Sequence, residues 1–139
     1  MGVILSIWPW RAFSFVDEDG VSVLDRWIER ERIDIADRQV LFSRLILLEQ
    51  FGPDSLPGCI LPLQDEFYYL NVKARKQSLV MTPVLCYGPF GESEITILAG
   101  APIENGVLGA VNVLPIARNN LEILKADKRR RVLHEKQRR

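Results

Sequence analysis

The chain is poor in the residues that bind metals or act as nucleophiles: two cysteines and one histidine in 139 residues. Cys59 and Cys86 have no Cys-x-x-Cys spacing, so a Cys/His zinc centre is excluded, and no metal or other cofactor is expected. Two isolated thiols fit a reducing, cytoplasmic setting. No apolar run approaches the ~18 residues of a membrane span. Val3–Trp10 is apolar but short, lacks a basic leader, and breaks at Trp8-Pro9-Trp10, so it reads as a strand or arm rather than a targeting signal, and no membrane partner is expected. Gly100, Gly106 and Gly109 lead to no Lys-Ser/Thr ending, which excludes a phosphate loop. Ser/His/Asp catalysis has no support. The single histidine, His134, lies near the end of the sequence, and its neighbour Glu135 cannot face it on a helix, so His134 is expected to be disordered and inert.

Net charge is also absent, since 18 Lys and Arg balance 18 Asp and Glu. The charges are unevenly placed, however. Residues 125–139 hold eight cations and two acids, an excess of six that the acidic remainder cancels. With 47% hydrophobic residues the chain has enough apolar material for one globular core. The expected organisation is a domain over residues 1–124 followed by a basic tail over residues 125–139.

Periodicity supplies the elements. Ala12–Val16 reads as a short strand, and Asp17-Glu18-Asp19-Gly20 as a turn. Val21, Leu24, Trp27 and Ile28 form a helical stripe. A second helix starts at Asp34, carries Leu41, Leu45 and Leu48, and stops at Phe51-Gly52-Pro53. Prolines keep residues 53–62 out of helix. Phe67–Ala74, Leu79–Tyr87 and Glu94–Ala99 read as strands, the last two as an antiparallel hairpin across Gly88-Pro89-Phe90-Gly91. Pro83 requires an edge position or a bulge. From about Val107 the pattern is helical again, with the regular part starting at Pro115 and running through Leu121 and Leu124 into the tail. The expected class is α+β: a helical hairpin packed on a small antiparallel sheet, burying Leu45, Leu48, Leu85, Ile95 and Ile97, with a C-terminal helix and a basic tail.

Three stretches carry a family likeness: Phe15-Val16 with Val23-Leu24-Asp25-Arg26-Trp27-Ile28; Asp65-Glu66-Phe67-Tyr68-Tyr69-Leu70; and Ala117-Arg118 with Leu124-Lys125-Ala126-Asp127, Arg131 and His134-Glu135. In order and spacing these resemble the RelE/HigB-like superfamily of toxin–antitoxin systems, in particular its phage-derived HigB-like branch. The resemblance implies a RelE-like fold, binding to a ribosome or RNA, metal-independent mRNA cleavage, and a neutralising antitoxin. Such cleavage needs a group to take the 2′-OH proton and cations to hold the developing phosphate charge. Against that pattern, the family's arginines fall on Asn71 and Pro83, and its lysine-rich segment falls on Gly100-Ala101-Pro102-Ile103-Glu104. Each important cation lost is worth on the order of 10²–10³ in rate.

Lys73, Arg75, Lys76 and Tyr87 are the replacement catalytic candidates, read either as a displaced RNA-binding cluster or as a solvated hairpin loop. Lys128, Arg129, Arg130 and Arg131 are the binding candidates, read either as a contact for RNA, a ribosome or an acidic protein, or as a charged helix end with cations at its negative pole. Trp8, Trp10, Phe13 and Phe15 are either core or interface. The resemblance and its departures together give two functional expectations. One is a catalytically degenerate RelE/HigB-like phage protein acting as a binding module, with an antitoxin or a phage assembly protein as partner, in the cytoplasm or as a virion component. The other is a toxin that binds the ribosome and cleaves mRNA.

Overall fold

The helical hairpin begins at two side-chain caps. Ser22 Oγ accepts a hydrogen bond from the Asp25 N–H at 3.0 Å, and Asp34 Oδ1 accepts one from the Asp37 N–H at 2.9 Å, each satisfying an amide that the first helical turn leaves without a partner. A computed structural model of the chain describes residues 8–75, 79–102 and 106–134. In it the hairpin is α1 (Val23–Arg30) and α2 (Ile35–Phe51), the second ending where Gly52 takes φ 84°. The strands are β1 (Arg11–Phe15), β2 (Ile60–Gln64), β3 (Phe67–Leu70), β4 (Val72–Lys73), β5 (Val80–Met81), β6 (Val84–Tyr87), β7 (Glu94–Ala99) and β8 (Arg131–Leu133). Two further helices, α3 (Gly106–Asn112) and α4 (Leu114–Ala126), lie between β7 and β8.

The main sheet has the order β2-β3-β6-β7-β1-β8, and β4 and β5 form a separate two-stranded ladder. The class is α+β and the sheet is mostly antiparallel, with one correction to the expected topology. β1 runs parallel to β7, with Ala12 opposite Ile95 and Ser14 opposite Ile97. No tight turn joins these two strands; the helical hairpin and the strands β2 to β6 lie between them, so turn geometry does not fix their relative direction.

Both faces of the sheet are covered. Leu24, Trp27, Leu41, Leu45 and Leu48 from the hairpin pack on Leu85, Ile95 and Ile97. Ala110, Leu114, Ala117, Leu121 and Leu124 from α3 and α4 pack on Phe15, Phe67, Cys86 and Leu98 on the opposite face. The five expected core residues are all buried. Strand β7, which alternates apolar and polar residues, is buried throughout because its polar members face the second core and are bonded there. Thr96 Oγ1 donates to the Gly88 carbonyl at 2.7 Å.

Proline and asparagine break two expected strands. Phe67–Ala74 divides at Asn71 into β3 and β4, and Leu79–Tyr87 divides at Thr82-Pro83 into β5 and β6. β6 is an interior strand, so Pro83 sits before it and not on an edge, next to a register shift between Val84 and Leu85. Pro62 does lie on an edge strand, β2, where its missing N–H costs no ladder bond.

The tail expectation also needs correcting. α4 stops at Ala126, and Arg131–Leu133 adds to the sheet beside β1, with Phe13 opposite Leu133 and Phe15 opposite Arg131. His134, expected to be disordered, is 1% exposed and stacks edge-on against Phe42 at 4.9 Å. The physical reason is the unpaired edge of β1, which the Arg131-Val132-Leu133 segment fills and so shields from other chains.

Candidate functional site

The four consecutive cations are not spread around a helix. Asp127 caps the end of α4 and takes both the N–H and the guanidinium of Arg129, at 3.1 Å and 3.0 Å on Oδ1. This turns the chain toward β8, and Arg129 holds the Asp127 carboxyl below the usual aspartate range. Lys128 Nζ stands 5.5 Å from the centre of the Phe90 ring. Arg130 Nε donates to the Val16 carbonyl at 3.1 Å, with its guanidinium 5.1 Å from the centre of the Phe15 ring. Arg131 is the most enclosed of the four: Nη1 donates to Glu94 Oε1 at 2.6 Å, and the guanidinium lies 3.6 Å from the Phe13 ring centre and 4.9 Å from that of Phe90. Burial raises the Glu94 pKa, but Arg131 and the N–H groups of Gly91 and Phe90 outweigh it and leave the carboxyl below its ordinary value. All four cations are thus engaged within the chain, though Arg129 keeps 90% side-chain exposure.

The positions that the family likeness would make catalytic carry no described cation. Asn71 is exposed, and its Nδ2 reaches the Gly58 carbonyl at 3.4 Å. Pro83 is buried, and its carbonyl accepts from the Leu70 N–H at 2.9 Å. Lys73 and Arg75 are exposed, and the Arg75 N–H donates to buried Asp37 at 2.6 Å. Lys76 and Ile103 lie outside the described residues. Tyr87 is not with Lys73 and Arg75. Tyr87 ends β6 in the main sheet, whereas Lys73 belongs to the separate β4-β5 ladder beyond the break at Asn71. The expected catalytic candidates are thus divided between two sheets rather than gathered in one.

A cation that sequence reasoning passed over is Arg44, on the outward face of α2. It lines a groove of about 250 Å³ with Ser55, Pro57 and Asn71, and a second of about 320 Å³ with Gln39, Ser43 and Arg75. The only signal for it in the sequence is that it interrupts the apolar stretch over residues 40–48 of α2. Among the described residues, no group of three or more His, Cys, Asp or Glu side chains is placed to hold a metal ion.

Two further surfaces stand out. On the first, Trp10, Tyr68 and Tyr87 form a row, with Trp10 and Tyr87 ring centres 6.0 Å apart at 67° and those of Tyr68 and Tyr87 4.7 Å apart at 74°. Tyr87 is the diagonal cross-strand neighbour of Tyr68, whose direct partner is Leu85. Of the N-terminal aromatics, Phe15 is core, while Trp8, Trp10 and Phe13 remain half-buried. The second surface is the outer face of α3 and the start of α4, where Val107, Leu108, Val111 and Ile116 are 46%, 66%, 42% and 55% exposed. No charged residue occurs between Gly106 and Ala117.

Comparison of the chain with family models, with curated proteins and with solved structures finds no match.

Proposed function

We propose that the chain is a degenerate RelE/HigB-like protein, of phage type, that works as a binding module for a protein partner and not as a ribonuclease. The reading rests on one observation. The cations that mRNA cleavage would require are dispersed or already engaged, with Arg131 closed on Glu94, and with Lys73 on a different sheet from Tyr87. A transition state for attack by the 2′-OH needs those charges to converge on one phosphate. The uncharged, exposed apolar face of α3 and α4 supports a protein partner, since a contiguous patch of this kind marks an interaction surface more often than scattered apolar residues do. Among the described residues no helix is long and apolar enough to cross a membrane.

The test is to incubate the full chain with translating ribosomes and to map the ends of the mRNA. Intact transcripts are expected, together with no growth arrest on expression. Cut transcripts that disappear with Lys73→Ala or Tyr87→Phe would establish the toxin reading instead, with an antitoxin as the partner to seek.

A further inference from the structure

Charges of both signs line one groove between α1 and α2 without closing on each other. The groove, of about 320 Å³, is lined by Asp25, Ile28, Glu29, Arg38 and Phe42. That volume is at the small end of the ~300–1,000 Å³ of ligand clefts. Asp25 and Glu29 stand four residues apart on α1, so both project from one face of the helix, ~6 Å apart along its axis. Arg38 and Phe42 have the same spacing on α2.

Within the described residues, neither Glu29 nor Arg38 forms an ion pair. Arg38 Nε is enclosed by the fold and has no hydrogen-bond partner among them. Burial pushes the Asp25 carboxyl above its ordinary value, against a hydrogen bond from Ser22 and the charge of Arg38. A cation placed beside Asp25 would offset that burial. The apolar part of the lining is fixed: Ile28 is 5% exposed, and the half-buried Phe42 ring is held edge-on by His134 at 4.9 Å.

From this arrangement we infer that the groove binds a free basic α-amino acid, with its carboxylate on Arg38 and its two cationic groups on Asp25 and Glu29. The lining selects against simpler ligands. Two carboxylates repel a simple anion, and Arg38 repels a simple diamine. An amino acid with an apolar side chain brings one cation for two acids and leaves one acid unanswered. A basic amino acid carries two cations and one carboxylate, the mirror of the lining, and its single net positive charge cancels the single net negative charge of the groove. The four-carbon stem of lysine is long enough to reach carboxylates one turn apart, and its methylenes leave water against Phe42 and Ile28. A basic residue within a protein chain, or at either end of one, lacks the α-ammonium, the carboxylate or both. Only the free amino acid supplies all three charges. The inference goes beyond the binding-module reading and does not depend on it.

The experiment titrates the full chain with L-lysine and follows the Ile28 methyl and Phe42 ring signals by NMR, assigned through Ile28→Val and Phe42→Leu. Saturable shifts in the millimolar range are expected. Three analogues each remove one charge: cadaverine lacks the carboxylate, ε-aminocaproate the α-ammonium, and norleucine the side-chain ammonium. Each should bind at least about tenfold more weakly, since a hydrogen bond between charged groups is lost. Arg38→Met keeps the apolar stem and should make lysine and cadaverine bind alike. Asp25→Asn combined with Glu29→Gln should remove the preference for lysine over norleucine. Where that double change lowers the melting temperature, Glu29→Gln alone, at an exposed side chain, should still narrow the preference. The absence of saturable shifts overturns the inference. So does cadaverine or norleucine binding the unaltered chain as tightly as lysine, or lysine binding that these variants leave unchanged. Failure here leaves the transcript test of the previous subsection unaffected, and cut transcripts there leave the lysine result standing.

Discussion

Arg131 Nη1 donates to Glu94 Oε1 at 2.6 Å, joining the last described strand to the first residue of β7. Both side chains are about nine-tenths buried, at 8% and 10% exposure. β8 has only three residues, so its three register pairs with β1 would hold it weakly without this ion pair and the two rings on either side of the guanidinium.

Arg131→Ala should therefore destabilise the whole domain and not only its end. Removing one partner of an enclosed pair costs about 3–5 kcal/mol. The low end is expected, because the Phe90 and Gly91 N–H groups still serve Glu94, at 3.0 Å and 2.9 Å. Urea unfolding measures the difference. A chain ending at Ala126 should lose at least as much stability, contrary to the sequence-based expectation that the domain closes by residue 124. Removing both charges with Arg131→Met and Glu94→Gln should recover much of the loss, as buried pairs exchanged for neutral groups often do.

Glu94 also sets a pH dependence. Its carboxyl is below its ordinary value in the folded chain because Arg131 and two N–H groups outweigh burial. A carboxyl depressed on folding contributes stability that is fully present above the unfolded value, near 4.5, and is lost as pH falls through the lower folded value. Stability measured between pH 7 and pH 2 should fall over that acid window, and Glu94→Gln should flatten the fall. An unchanged slope in the variant would assign acid sensitivity to other carboxylates.

What the sequence made legible was local. Asp34 announced the start of α2 through capping chemistry, Gly52 and Pro53 announced its end, and the Ile95 and Ile97 spacing announced a strand. What stayed hidden depends on long-range pairing. The parallel pairing of β1 with β7 connects residues more than eighty positions apart, and no residue type marks it. β8 hid inside a run of cations, since Arg131 reads as surface until Phe13, Phe90 and Glu94 are seen around it. The same is true of the candidate sites: Tyr87 and Lys73 are close in sequence but belong to different sheets.

Gly100 is a position where a single methyl group should be costly. A Cβ there would meet the buried Trp27 ring at 2.3 Å, and Trp27 is further fixed by its indole N–H donating to the Ala101 carbonyl at 2.6 Å. The ring cannot shift outward without breaking that bond or the packing beneath α1. Gly100→Ala should cost at least the 1–3 kcal/mol usual for overpacking. Trp27→Phe in the same background should relieve part of the clash, so the two changes should not add, and a thermal melt of the single and double variants would reveal it.

The thiols give a probe of opening. Cys59 and Cys86 are both buried and unpaired, and burial pushes the Cys86 thiol up to about 12. Thiolate is the reactive form, so at pH 8 almost none is available on Cys86 in the folded state, and the site is closed to reagent as well. Cys59 is raised by the same cause, to an extent that Arg44 opposes. A disulfide-exchange reagent added to the native chain should therefore react slowly at both, with Cys59 ahead of Cys86. Reaction at Cys86 should require the sheet to separate from α4, because Cys86 packs in the core beneath Leu121 and Leu124. Under denaturant both should react at the rate of a free thiol. Arg131→Ala should speed Cys86 labelling in proportion to the stability it removes, if opening is global. Rapid native labelling of Cys86, equal to that in denaturant, would show that α4 is not held on the sheet as its contacts indicate.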